Sequence, residues 1–219
     1  MKRAIFESHS CAQCEVGVAS GIGKGQFCPF VDRRRRAGEL IYLEGERADR
    51  VWFIKHGTVV LYRESGNKEA EGRAHAVRFH GTFIGLEALV SNHYADSARA
   101  SSDVVICGAT REGMDQWLGP KGTPSRTALE ISLRAQAADN NRRAPHGSTV
   151  RRVAAWLLHE GPRGDTASLP RKLVADLLGM RPETFSRALA VLSKDGAIST
   201  TRTTLTILDD DKLVELSGR

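Results

Sequence analysis

The sequence predicts an α+β chain: a small β-barrel or β-roll, then one long helix, then a winged helix-turn-helix. Three observations predict it. Between Gly38 and Thr110, short apolar, β-branched or aromatic segments alternate with glycine turns. From about Pro124 the apolar residues recur three and four apart, which is helical spacing. Beyond Ser168, two short helical patterns flank Gly179-Met180 and lead into an alternating segment. With 219 residues and 41% hydrophobic content, the chain can bury one good core or two modest ones.

Residues 1–36 come first and are Cys- and Gly-rich, with Gly17, Gly21, Gly23 and Gly25 and no periodic apolar face. They read as a loop whose order must come from something bound to it. Residues 37–121 carry the strands: Leu40–Leu43, Val51–Ile54, Thr58–Tyr62, Ala76–Phe79 and Val104–Cys107. Turn signals at Glu44-Gly45, His56-Gly57, Ser65-Gly66-Asn67 and His80-Gly81 separate them. Residues 122–145 form the long helix. On it Leu129, Leu133, Gln136 and Asn140 share one face, and Ile131, Ala135 and Ala138 lie opposite. A helix with two part-apolar faces needs two partners, its own β-roll and a second subunit. Pro145-His146-Gly147 breaks the pattern and is a candidate hinge.

Residues 146–219 form the last domain. Its first helix, about Thr149–His159, turns Val150, Val153, Ala154 and Leu157 inward. A short helix over Ser168–Leu178, the glycine turn, and a helix from Pro182 to about Asp195 follow, the last started by its proline. There Phe185, Ala188, Leu189 and Leu192 share one side, and Glu183, Arg187, Ala190 and Lys194 the other, with Thr184 and Ser186 flanking. Ala197–Leu208 alternates as a two-stranded wing. This arrangement is a DNA reader. Glutamate can accept from cytosine N4 and arginine can donate two bonds to guanine, and four-residue spacing puts Glu183 and Arg187 on one groove-facing strip. Arg181 cannot cap the helix as Ser or Thr would, but can reach phosphate.

The charge of +6 and pI of about 9.4 favour a polyanionic partner. No stretch approaches the roughly 18 apolar residues of a membrane span, and the basic N-terminus lacks the apolar core of a secretory signal. A cytoplasmic chain is expected, and its four cysteines should be reduced and available to a metal or to redox chemistry. Cys11 and Cys14 form a C-x2-C pair, Cys28 follows after thirteen residues, and Cys107 ends an apolar strand. Zinc on four thiolates is one reading, although only one C-x2-C pair exists. A thioredoxin-like dithiol is another, without the strand and helix that flank such a motif. Cys107 by itself reads as core. Arg33–Arg36 reads as a solvated face, and the seven histidines show no ligand spacing.

The run Leu177–Leu192, with Asp195-Gly-Ala-Ile198 after it, resembles the Crp–Fnr family of transcription regulators. So do the glycines of Glu44-Gly-Glu46, Lys55-His-Gly57 and Phe83–Leu89. The resemblance covers about residue 37 to the C-terminus and implies a cyclic-nucleotide-binding-like β-roll, a dimerisation helix and a palindromic double-stranded DNA target. It also implies RNA polymerase as a partner. Cys11, Cys14, Cys28 and Cys107 resemble the ligands of the family's oxygen-sensing branch, which hold a 4Fe-4S cluster able to convert to a 2Fe-2S form. That branch reads TTGAT-like half-sites and responds to oxygen, redox state or nitric oxide. Two features depart from it: the long, glycine-rich Cys14–Cys28 spacing, and no helix legible after Cys28. The nucleotide-binding members carry an arginine for the phosphate and a glutamate for the ribose. Here no arginine occurs between Gly81 and Ala98, and Leu86 follows Gly85, so cyclic AMP is not expected as effector.

Overall fold

β-Branched and aromatic residues at alternate positions build the first half of the chain, because each strand buries one face. The computed structural model describes residues 11, 13–21, 28–63, 72–119, 123–143, 147–160, 169–201 and 205–218. Two compact units result, residues 1–137 and 138–219, so the division falls inside the long helix.

Unit one opens with α1 (Glu15–Ala19) and continues through β1 (Val31–Arg35), β2 (Leu40–Tyr42), β3 (Arg50–His56), β4 (Val59–Arg63), β5 (Arg73–Arg78) and β6 (Thr82–Ile84). The short helix α2 (Glu87–Val90), strands β7 (Ser97–Ala100) and β8 (Val104–Thr110) and helix α3 (Arg111–Leu118) follow. Two four-stranded antiparallel sheets form, in the orders β1-β8-β3-β6 and β2-β7-β4-β5. Their apolar faces share one core with Phe53, Ile54, Phe83, Ile106, Met114 and Trp117. The expected β-roll is therefore present, with more strands than the five foreseen.

Three differences have physical causes. The Arg33–Arg36 run was expected to be a solvated face, and Arg33, Arg34 and Arg36 are exposed, but Arg33–Arg35 lie within β1, an edge strand on which charge deters further pairing. Strand β7, Ser-Ala-Arg-Ala, lacks β-branched residues, yet Ala98 and Ala100 face the core by simple alternation. Residues 1–30 were expected to be a loop, but part of them folds as α1 and packs, with Val16 and Ser20 buried. The Trp117 indole donates to Ser20 Oγ (2.8 Å), and Ser20 Oγ donates to the Val16 carbonyl (2.6 Å). The Ser65–Asn67 turn lies outside the described residues.

Helix α4 (Thr123–Arg143) shows the two expected faces. Ile131 is wholly buried in the unit-one core with Ala128 packed beside it, whereas Leu129 and Leu133 are 59% and 53% exposed and Gln136 is exposed. The Asn140 and Ala138 side chains lie outside those described, as do Pro145 and His146 of the expected hinge.

Unit two contains α5 (Thr149–Glu160), α6 (Arg171–Leu177), α7 (Pro182–Lys194), the paired strands β9 (Ile198–Thr200) and β10 (Leu205–Ile207), and α8 (Asp210–Ser217). Val153, Leu157, Val174, Phe185, Leu189, Leu192 and Leu213 fill its core, with Trp156 edge-on to Phe185 at 6.4 Å. Asp209 caps α8 by accepting from Lys212 N (3.0 Å). The Arg151 guanidinium donates to the Ser217 and Gly218 carbonyls at the other end of α8 (2.7 and 3.0 Å). The strand–loop–strand of the wing is as expected, with residues 202–204 outside the described ones.

Candidate functional site

Cys11, Cys14 and Cys107 gather beside the sheet β1-β8-β3-β6, with Cys28 near Cys14. Cys107 sits mid-strand in β8 and pairs in register with Asp32 of β1 and Phe53 of β3. Cys14 precedes α1 and caps it, its sulfur accepting from Gly17 N at 3.0 Å. Gly17 is required there, because a Cβ would fall 1.9 Å from the Cys11 carbonyl oxygen. Cys11 is exposed, Cys14 and Cys28 are half-buried and Cys107 is buried; none is in a disulfide. The chain leads directly from Cys28 into β1 with no intervening helix, as the sequence suggested.

Two charged side chains that the sequence reading did not single out occupy the middle of this group. Strand β3 has a bulge at Lys55: Ile54 and His56 pair with Ile106 and Val105, which leaves Lys55 as the extra residue. Its side chain is 2% exposed, and the ammonium donates to Asp32 Oδ1 (3.2 Å) and to the Cys11 sulfur (3.5 Å). The same Asp32 oxygen accepts from the Cys107 thiol at 3.0 Å. The signal was a lone lysine closing an otherwise apolar strand, Val51-Trp-Phe-Ile-Lys55.

Burial pushes the Cys107 thiol well above the ordinary thiol range; its bond to Asp32 adds to this, and the Lys55 charge opposes it. Burial also raises the Cys14 thiol, against the pull of the Gly17 N–H and of Lys55; Cys11 and Cys28 add smaller upward shifts. For Lys55, burial disfavours the charge, but Cys107 and Asp32 outweigh it and its pKa is raised. Lys55 thus lies among Cys11, Cys14 and Cys107, and Cys28 bears on Cys14 alone of these groups.

Among the described residues, no three His, Cys, Asp or Glu side chains stand as ligands of a single metal ion. A tetrahedral zinc with bonds of about 2.3 Å would need its sulfurs about 3.8 Å apart. A 4Fe-4S cluster binds each thiolate to a different iron, so its ligands stand farther apart. Four free thiols are the number and type of donor that a cluster takes, and two of them, Cys11 and Cys107, meet on the Lys55–Asp32 pair.

A second candidate surface is α7. Glycine ends the preceding helix: Gly179 takes φ +61, and Met180 N donates to the Ala175 carbonyl (2.9 Å). Arg152 also donates to the Leu178 carbonyl in this turn. Pro182 opens α7 and the Arg181 side chain makes no cap bond. Phe185, Ala188, Leu189 and Leu192 are buried, while Arg181, Glu183, Ser186, Arg187, Ala190 and Lys194 are exposed and Thr184 is half-buried. The expected outward strip is thus one continuous face. Arg171 of α6 donates to Thr200 Oγ1 (2.7 Å) and to the Thr201 carbonyl, tying the wing to the helix pair.

A link joins the sulfur site to α4. Glu15, next to Cys14, accepts a two-pronged bond from Arg134 (3.1 and 2.8 Å), one residue from Leu133. Within the roll, buried Asp96 accepts from Tyr42 (3.3 Å) and pairs with His75 (3.0 Å).

A β-roll followed by a winged helix-turn-helix defines a class, the DNA-binding transcription regulators with an attached sensory domain. The profile of the cyclic nucleotide-binding domain matches residues 32–119, and that of the Crp-like helix-turn-helix domain matches residues 151–216. The chain belongs to the Crp–Fnr family, whose regulators bind DNA and act as dimers. It is 26% identical to the nitrogen fixation regulation protein FixK of Bradyrhizobium diazoefficiens, over 96% of this chain and 94% of that one. It is 22% identical to the fumarate and nitrate reduction regulatory protein of Escherichia coli K12, over 88% of this chain and 82% of that one. Among solved structures it is similar to FixK2 from Bradyrhizobium japonicum (TM-score 0.69, 24% identity, 85% of this chain and 96% of that one). A CRP-family transcriptional regulator from Thermus thermophilus aligns at TM-score 0.70 and 21% identity, over 85% of this chain and 97% of that one. Among the described residues, no helix is long and apolar enough to cross a membrane.

Proposed function

We propose that this regulator senses oxygen, redox state or nitric oxide through an iron–sulfur cluster held by Cys11, Cys14, Cys28 and Cys107, and that the cluster governs dimerisation and DNA affinity. One observation carries the reading: the Cys11 sulfur, 3.5 Å from the Lys55 ammonium, and the Cys107 thiol, 3.0 Å from Asp32, meet on the Lys55–Asp32 pair although they lie far apart in sequence. When bound, the cluster supplies a redox-sensitive centre. The chain's own residues relay its state. Helix α1 and its C-cap lie over the roll through Val16 and Ser20, and Glu15 grips Arg134 on α4. Both partners of that ion pair are about half exposed, so it contributes at most about 1 kcal/mol. The buried anchors of α1 therefore carry most of the coupling, and the ion pair sets its orientation.

Leu129, Leu133, Gln136 and Asn140 form the seam with a second subunit. Arg181, Glu183, Thr184, Ser186, Arg187 and Lys194 read DNA, with Glu183, Ser186 and Arg187 facing bases of a palindromic, TTGAT-like site. RNA polymerase is the expected partner at the promoter. A cyclic nucleotide is not the effector in this reading, because residues 82–98 offer its phosphate no arginine.

Anaerobic purification with visible absorption and iron and sulfide counts tests the proposal. Brown protein with equal iron and acid-labile sulfide supports it. Colourless protein with stoichiometric zinc, or with no metal, overturns it.

A further inference from the structure

We propose that Arg171 is a positioning residue for DNA binding: it holds the wing against the helix pair so that the outer end of β9 meets the DNA backbone together with α7. The inference goes beyond the DNA-reading residues named above, all of them on or beside α7, and it does not depend on the sulfur site. Strands β9 and β10 have three residues each and, among the described strands, pair only with one another. A two-stranded ribbon is marginal by itself. Its base is secured, since α7 runs into it through the Gly196 turn and Ala197 and Ile198 are buried in the unit-two core. The apolar anchorage on β9 ends there: Ser199 and Thr201 are exposed and Thr200 is half-buried.

Arg171 acts at that outer end. It is the first residue of α6, whose Val174 and Ala175 share a core with Phe185 and Leu189 of α7. The arginine therefore stands on the same frame as the recognition helix. One guanidinium nitrogen donates to Thr200 Oγ1 (2.7 Å) and to the Thr201 carbonyl. Thr200 Oγ1 donates in turn to that carbonyl (3.4 Å). A hydrogen bond from a cation is stronger than one between neutral groups, so the bond fixes the wing to the frame where packing no longer does. Hydroxyls and backbone N–H groups such as those of Thr201 are ordinary partners of DNA phosphates. Contacts of that kind carry no sequence information, so the wing held by Arg171 contributes affinity, and α7 contributes specificity.

The test measures binding of wild type, Arg171→Ala, Arg171→Lys, Thr200→Val and the double variant Arg171→Ala/Thr200→Val to a palindromic TTGAT-type duplex and to a random duplex, by anisotropy over a range of salt. Amide exchange of β9 and α7 is followed in the free proteins. Arg171→Ala is expected to weaken binding about tenfold on both duplexes, the size of a lost charged hydrogen bond whose target is blind to sequence. Thr200→Val removes one acceptor without changing charge or β-branching and should weaken binding about threefold. The double variant should bind like Arg171→Ala, since both substitutions break the same contact. Lysine keeps the charge but not the planar fork, so Arg171→Lys should resemble Arg171→Ala. In Arg171→Ala the β9 amides should exchange faster while those of α7 keep wild-type protection. Wild-type binding by Thr200→Val, or losses that multiply in the double variant, overturn the proposal. So does a wild-type-like Arg171→Lys with a salt slope lowered by about one in Arg171→Ala alone, which would make the arginine itself a phosphate contact. Faster exchange throughout α7 would also overturn it, reducing Arg171 to a general contact of the fold. If Arg171→Ala folds poorly, Thr200→Val still decides, because it alters a single hydroxyl of the wing.

Discussion

At the residue scale, the proposed reading gives Cys107 two roles that one substitution separates. It is buried in the unit-one core, and its thiol donates to Asp32, which Lys55 also reaches. Cys107→Ser preserves its volume, so a merely packed cysteine would tolerate it. The expected outcome is loss of colour and iron as complete as in Cys14→Ser, read by absorption and metal content; full iron in Cys107→Ser would return Cys107 to the core alone. Arg187 is exposed on α7 with Glu183 one turn away. Arg187→Ala should weaken binding to the specific site by about 1–3 kcal/mol and to random DNA far less, as measured by fluorescence anisotropy on both duplexes. An equal loss on both would make Arg187 a phosphate contact. These residues were legible because their types and spacing carry their chemistry. Lys55 and Asp32 were not, because a charged residue near a turn ordinarily means solvent. Only the bulge and the cross-strand register turn Lys55 inward and set Asp32 opposite Cys107.

At the element scale, periodicity is what made α4 and α7 readable. The exposed and buried sides fall where the pattern put them along α7, and along α4 for the side chains described there, which end at Gln136. Helix α1 has five residues and no period to show; it owes its place to Val16, Ser20 and the cap from Cys14. Strand β7 went unseen for want of any large apolar residue. The exposed Leu129 and Leu133 on α4 make the seam testable. Leu133→Ala should leave the protein monomeric even with its cluster. Gln136→Leu should extend the apolar seam and hold a dimer regardless of signal, since burying one leucine contributes about 1.5–3 kcal/mol per side. Sedimentation of both variants, with cluster and without, measures this. A Gln136→Leu protein that still dissociates fully on cluster loss would send the signal by another path. A third variant, Arg134→Ala, removes the bond to Glu15 and should shift the dimer equilibrium only slightly, by at most about 1 kcal/mol per subunit.

At the scale of the whole molecule, the β-rich first half and the helix-turn-helix after it were legible from pattern alone, and the family follows from them together. The reading fits a division of labour in which a β-roll brings sulfur and charge together, a helix with one free apolar stripe responds, and a basic helix face meets DNA. Its central claim is that the state of the sulfur site sets DNA affinity. The most direct measurement is binding to a palindromic TTGAT-type duplex by anaerobic protein, before and after the cluster is removed by chelator, with sedimentation run in parallel. The account predicts a tight complex of a dimer before removal, and after it a monomer with affinity lower by at least about tenfold, the equivalent of 1.4 kcal/mol. Equal affinity and an unchanged dimer in both states would contradict it.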